Sequence, residues 1–180
     1  KVHNLDVLEH LSEIVDDKSV DIIICDPPYN ISSTSTDVLD YRSTRSKKNF
    51  SLFNEQWDSF DSIEHYIGWT DKWIDLCFDK LKDDGSMFVF GSYHNIGLVN
   101  YVLQKQKRMI INDICWYKRN AVPNIACRRL QASYETLLWV AKDKKYRFNY
   151  KQVKELAYDG DSIKKENKQL RNVWDIPTKA

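Results

Sequence analysis

Four consecutive residues, Asp26-Pro27-Pro28-Tyr29, combine a carboxylate, two prolines without a backbone N–H and an aromatic ring. Together they suit the activation of an amino group attached to an aromatic ring, as on adenine or cytosine. Such a nitrogen is a poor nucleophile because its lone pair is delocalised into the ring. A carboxylate and a fixed main-chain carbonyl that both accept hydrogen bonds from one NH₂ draw the nitrogen toward tetrahedral geometry and aim its lone pair at an electrophile. Asp26 offers the first acceptor and the carbonyl of Pro27 the second. Proline locks φ, and a residue before proline is confined to extended conformations, so consecutive prolines hold those carbonyls rigidly. Tyr29 offers a flat face on which a base drawn out of a duplex can stack. The plain alternative is a strand ending in an ordinary turn. Average composition gives this tetrapeptide a chance of roughly one in a thousand in such a chain, and its place after an apolar run favours chemistry.

That run, Val20-Asp21-Ile22-Ile23-Ile24-Cys25, reads as a central parallel strand buried on both faces. The motif would then stand at the carboxyl edge of the sheet, where open α/β folds bind ligands. Val2 to Leu5 suggests a short strand before it and Val7 to Val15 a helix. Residues 30–57 show weak periodicity and read as a long, mobile loop near the site, a length that is usually functional or disordered. Ile63, Tyr66, Ile67, Thr70, Trp73, Ile74, Cys77, Phe78 and Leu81 form an apolar stripe at helical spacing that ends near Gly85. Its tryptophans read as core. Met87 to Phe90, Met109 to Tyr117 and Glu135 to Ala141 read as strands, Asn95 to Gln106 as a helix, and Tyr146 to Tyr150 as a short strand. Alternating strands and helices with buried parallel runs predict an α/β fold with a doubly wound, mostly parallel sheet. Residues 151–172, rich in Lys, Glu and Asp, form a polar connection or part of a target-recognition region.

Of the 180 residues, 42% are hydrophobic and 29% charged, enough to build the core of one domain or most of one. No apolar stretch approaches the ~20 residues that span a bilayer, and no signal-peptide pattern opens the chain. A soluble, cytoplasmic protein is expected. The four cysteines, Cys25, Cys77, Cys115 and Cys127, lack paired spacing and histidine partners. They read as reduced thiols, and no metal site is expected.

The motif and its surroundings resemble the amino-group DNA methyltransferases that use S-adenosylmethionine, of the circularly permuted beta class. The adenine-N6 enzymes of bacterial restriction-modification systems, including the MboII type, fit best. Beyond Asp26-Pro27-Pro28-Tyr29, the resemblance rests on Val2 to Glu9, Trp57-Asp58, Leu81 to Phe90, Trp116-Tyr117-Lys118-Arg119-Asn120 with Pro123, Glu135 with Leu137-Leu138-Trp139, and Val173-Trp174. It implies a Rossmann-like methyltransferase fold and transfer of a methyl group to N6 of a flipped-out adenine in double-stranded DNA. S-adenosylmethionine is the implied cofactor. Cytosine-N4 members usually begin the motif with Ser, so Asp26 favours adenine. The resemblance assigns Asp6 and Val7, at a helix start, to the adenosyl end of the cofactor, with Asp26 beside the methyl group. An ordinary helix cap is an equal and compatible reading of Asp6.

One departure stands out. The family's glycine-rich cofactor loop has no counterpart here, since Gly68, Gly85, Gly91, Gly97 and Gly160 are all far apart. Residues 1–180 thus read as the catalytic part of a single methyltransferase domain, incomplete at the C-terminus, with the remainder in further sequence or in a separate partner chain. A non-catalytic half that needs such a partner is the rival reading, and a cytosine-N4 enzyme is another. Homodimerisation and a functionally linked restriction endonuclease also follow from the resemblance. DNA affinity depends on local cation clusters more than on the net charge of +1. Arg45, Lys47 and Lys48 with Arg42 form one cluster. Lys118, Arg119, Arg128 and Arg129 form a second, beside Asn120. Both are expected on phosphates, while Lys142 to Arg147 reads as a solvated turn. Asn30 is read as shaping the turn after Tyr29, with the flipped base or its sugar within reach. Trp57 reads as an anchor of the loop to the core, with stacking on DNA as the alternative.

Overall fold

The computed structural model describes residues 1–31, 56–121, 123, 130–155 and 168–178. In chain order these form α1 (Val7–Ile14), β1 (Val20–Cys25), a 3₁₀ turn (Gln56–Asp58), α2 (Ile63–Lys80) and β2 (Leu81–Gly91). Then come α3 (Ile96–Lys105), β3 (Met109–Tyr117), β4 (Tyr134–Ala141), α4 (Tyr150–Glu155) and β5 (Val173–Asp175). The strands make one five-stranded sheet in the order β1-β2-β4-β3-β5. β1 pairs with β2 and β3 with β5 in parallel, whereas β4 runs antiparallel to both its neighbours. Four strands therefore point the same way and β4 alone runs back, which is the mostly parallel sheet expected. The carboxyl ends of β1, β2, β3 and β5 and the amino end of β4 consequently share one edge.

Local chemistry sets these elements. Ser62 caps α2 by accepting from the His65 N–H at 3.0 Å, and the apolar stripe then faces inward for 18 residues. Trp73, Ile74 and Phe78 of α2 pack with Val99, Val102 and Leu103 of α3 on Met87, Val89, Leu138 and Val140 of the sheet, and Leu8 and Leu11 of α1 join them. The opposite face carries Phe88, stacked on Trp139 with ring centres 5.6 Å apart, and Phe148 lies 5.4 Å from Trp139. A cavity of about 480 Å³ opens there between these rings, Trp174 and α4. Both faces thus carry cover, as a doubly wound sheet requires. Phe78 is fully buried and lies under the Arg108 guanidinium, 4.2 Å from its ring centre. Phe78→Ala is expected to cost about 3–5 kcal/mol, measured as a lower urea midpoint at unchanged slope.

The structure departs from the sequence reading in several places. β1 is an edge strand among the described residues, and Ile22 and Ile24 are 59% and 70% exposed. Only Ile23 and Cys25 turn toward the core. An apolar run encodes a preference for shelter without specifying a neighbour on each side, so it could not place β1 in the sheet. Val2 to Leu5 forms no strand, because no described strand lies alongside it. Tyr146 to Tyr150 is likewise not a strand, and Tyr150 opens α4. The α2–β2 junction also comes earlier than Gly85. β2 starts at Leu81 and bulges before its regular register begins at Ile22 opposite Ser86. Gly85 permits that bulge, since a Cβ there would lie 3.0 Å from the Lys82 carbonyl oxygen and 3.1 Å from that of Asp21. No helix among the described residues is long and apolar enough to cross a membrane.

Candidate active site

Asp26 follows the last residue of β1 and its side chain is exposed at the carboxyl edge. The Tyr29 hydroxyl donates to Asp26 Oδ1 at 2.8 Å. Burial holds the Tyr29 phenol well above its usual range, reinforced by the hydrogen bond to Asp26 and by the charge of Glu135, so it stays a donor at neutral pH. On its far side the motif is tied to the core. Tyr66, fully buried on α2, donates its hydroxyl proton to the Pro28 carbonyl at 3.0 Å. Asn95 Nδ2 donates to that hydroxyl at 3.1 Å, and Asn95 Oδ1 accepts the Ser92 N–H at 2.9 Å. The buried Asp58 carboxylate accepts the N–H groups of Asn30 and Ile31, at 2.8 and 3.0 Å. Tyr66 thus occupies the Pro28 carbonyl, while no described residue donates to the carbonyl of Pro27. Of the two proline carbonyls, the one beside Asp26 is the acceptor left for a substrate.

Gly91 ends β2 where α3 begins. A Cβ there would lie 2.7 Å from Ile96 Cδ1 and 3.0 Å from Asn95 Oδ1, so the absent side chain lets Asn95 approach the motif's supports. At the same edge, Lys118 Nζ pairs with Glu135 Oε1, both side chains being mostly sheltered, and lies 5.0 Å over the Trp116 ring centre.

The expected site residues separate clearly. Asp26, Pro27, Pro28 and Tyr29 form one corner, Asp26 exposed and the other three half-buried, and Lys118 and Asn120 stand on the same edge of the sheet. Lys118, however, is committed to Glu135. Asn120 bonds the chain near β5, its Nδ2 donating to the Thr178 carbonyl at 2.7 Å and its Oδ1 accepting the Thr178 N–H at 2.9 Å. Arg119 pairs with Asp175 at 2.8 Å. Asn30 is only 3% exposed and adopts φ of 57°, so it shapes the turn, as Asn does in the left-handed region. The expected base contact of its side chain does not fit that burial. Asp6 caps α1, its Oδ1 accepting the Leu8 N–H at 2.8 Å, and Val7 is the first residue of that helix. Arg45, Lys47, Lys48, Arg128 and Arg129 lie outside the described residues. The third basic cluster stands at the opposite edge, where Arg147 pairs with Asp84 at 2.6 Å.

Trp57 is 67% exposed and does not anchor its loop. The adjacent Asp58 does so instead, through backbone N–H groups. Sequence reasoning missed Asp58, Tyr66, Asn95 and Glu135 as parts of the site. Cys25 and Cys77 are free thiols, and the interaction with Cys77 together with burial pushes the Cys25 thiol up. No cluster of metal-binding side chains occurs among the described residues.

A sheet with one reversed strand thus carries an acidic-proline-proline-aromatic corner at its carboxyl edge. The structure of PvuII DNA methyltransferase, described as cytosine-N4-specific, matches 97% of this chain and 56% of its own with a TM-score of 0.63 at 17% identity. A putative DNA modification methylase of Thermus thermophilus matches 98% of this chain and 69% of its own, with a TM-score of 0.56 at 15% identity. The chain belongs to the DNA methylase family, whose model matches residues 20–179. It is 35% identical to the type II methyltransferase M.HinfI of Haemophilus influenzae over 95% of this chain and 44% of that protein. It is also 35% identical to the type II methyltransferase M2.DpnII of Streptococcus pneumoniae, over 96% of this chain and 60% of that protein. The chain therefore spans about half the length of these relatives.

Proposed function

We propose that this chain carries the catalytic corner of a type II DNA methyltransferase that methylates N6 of adenine from S-adenosylmethionine. The observation that carries this reading is the exposed Asp26 carboxylate beside the Pro27 carbonyl, to which no described residue donates, both on a rigid corner. Two acceptors on one amino group are what nucleophilic activation of a conjugated NH₂ needs. Aspartate at the head of the motif favours adenine within the family. The type II names of the relatives support a place in a restriction-modification system, with double-stranded DNA as substrate.

Asp26 Oδ2 and the Pro27 carbonyl accept the two amino hydrogens of a flipped adenine, while Tyr29 offers its ring as a stacking face. The hydroxyl of Tyr29 holds Asp26 Oδ1 and so fixes the carboxylate plane. When bound, S-adenosylmethionine supplies an electrophilic methyl group: the N–C bond forms as the C–S bond breaks, the electron pair returns to sulfur, and an amino proton leaves to water. The residues assigned to that cofactor suit it chemically. Asp26 places negative charge beside a sulfonium, and Asp6 keeps its second carboxylate oxygen for a ribose or amino donor, since only Oδ1 is engaged by the cap. Among the described glycines, Gly85 and Gly91 face protein atoms and Gly68 and Gly97 lie in helices. A cytoplasmic location and a linked endonuclease accompany the reading.

Incubating the full-length protein with DNA and methyl-labelled S-adenosylmethionine, followed by mass spectrometry of the nucleosides, tests it. N6-methyladenine is the expected product. N4-methylcytosine would overturn the base assignment, and unmodified DNA the activity.

A further inference from the structure

Proline chemistry leaves one torsion of the catalytic corner unfixed. The rings set φ of Pro27 and Pro28, and standing before proline restricts ψ of Asp26 and of Pro27. ψ of Pro28 has no such constraint, yet it sets the peptide plane between Pro28 and Tyr29 and hence the direction of the tyrosine ring. The Tyr66 hydroxyl bonds to the carbonyl of that plane at 3.0 Å. The next plane, between Tyr29 and Asn30, is held at its N–H by Asp58 at 2.8 Å. Both peptide planes that flank Tyr29 are thereby tied to buried groups.

The direction of the Tyr66 bond is also determined. Asn95 Oδ1 is taken by the Ser92 N–H, which orients the amide so that Nδ2 donates to the Tyr66 oxygen. With its oxygen lone pair engaged, Tyr66 turns its own proton to the Pro28 carbonyl. Tyr66 and Asn95 are both fully buried, so both donors are sheltered from water, and burial holds the Tyr66 phenol above its usual range as a proton donor.

We propose that Tyr66 is a positioning residue for methyl transfer, closing with Asp58 a two-point clamp on the backbone of Tyr29 that aims the ring and the Asp26 carboxylate it holds. The clamp rests on the functional reading above and adds to it a residue that touches neither base nor cofactor. Because it acts on the geometry of reaction and not on the grip on DNA, its loss should appear in kcat and leave KM in place.

The test is steady-state methylation by the full-length protein carrying Tyr66→Phe, with DNA and cofactor varied separately. kcat should fall on the order of tenfold while both KM values change by less than about twofold. Asn95→Ser keeps a residue type favoured at a helix N-cap and keeps the phenol, but is too short to donate to it. It should lower kcat in the same direction by a smaller factor, and the double variant should be no slower than Tyr66→Phe alone. A folded Tyr66→Phe protein with kcat within about twofold of the unaltered one, or with the whole loss in KM, overturns the clamp. Should Tyr66→Phe fail to fold, Asn95→Ser decides alone, and an unchanged kcat overturns the proposal. An unaltered protein that transfers no methyl group overturns the functional reading and the clamp together, whereas active protein with unaffected variants removes only the clamp.

Discussion

Asp26→Ala is expected to lower kcat for DNA methylation by about 10²–10³-fold or more, the scale on which removing one preorganised electrostatic partner slows an enzyme. The loss should fall on the chemical step, because the carboxylate gains most as the amino nitrogen becomes tetrahedral and its hydrogens more acidic. Folding should be untouched. Asp26 is exposed and its side chain is held by the Tyr29 hydroxyl alone among the described residues, so the urea midpoint should move by no more than a surface substitution does, within about 0.5 kcal/mol. Asp26→Asn separates charge from hydrogen bonding. An amide of the same size keeps one neutral acceptor, but it has only one oxygen, and that oxygen must choose between the Tyr29 hydroxyl and the substrate. Its rate should lie between those of the unaltered protein and Asp26→Ala. Single-turnover rates with saturating DNA, taken with equilibrium unfolding on the same samples, check both halves. An Asp26→Ala protein that keeps most of its single-turnover rate would remove the carboxylate from the mechanism.

Why this corner could be read from the chain, and its supports could not, follows from the range of the interactions. Asp26 to Tyr29 are contiguous, and proline acts through covalent geometry, so their meaning is local. β3 was legible for the same reason: the expected strand from Met109 to Tyr117, rich in β-branched and aromatic residues, matches the observed one residue for residue, and the stripe from Ile63 predicted α2. Asp58 reaches Asn30 across 28 positions and Tyr66 reaches Pro28 across 38. Nothing in either neighbourhood announces the partner. Tyr66 also sits where an apolar residue is expected, so periodicity accounted for its ring and concealed the task of its hydroxyl. β1 shows the converse limit. Its composition declared a strand, but edge or centre is a property of the neighbours, and Ile22 and Ile24 carry no mark that distinguishes them from Ile23.

Lys118 shows how a charge can be placed on the right edge and still be given the wrong partner. A lysine in a basic run beside the catalytic edge suggests a phosphate contact. Its side chain is nevertheless only 16% exposed, Glu135 is 22% exposed, and the two are paired over the Trp116 ring. Lys118→Met should leave the Glu135 carboxylate sheltered and uncompensated. Breaking a fully buried pair costs about 3–5 kcal/mol. Residual solvent access reduces that here to about 2–3 kcal/mol, still a large share of the roughly 5–15 kcal/mol that holds a domain together. The double variant Lys118→Met with Glu135→Leu removes both charges and should recover most of the loss, because an apolar pair of similar volume can replace a buried ion pair at little net cost. Binding to DNA gives an independent reading. A lysine on a phosphate contributes about one to the slope of log K against log salt, whereas a lysine already committed to Glu135 releases no counterion, so Lys118→Met should leave that slope nearly unchanged. The opposite pair of results, a slope reduced by about one with an unshifted urea midpoint, would return Lys118 to the DNA and show that its contact with Glu135 gives way when the duplex binds.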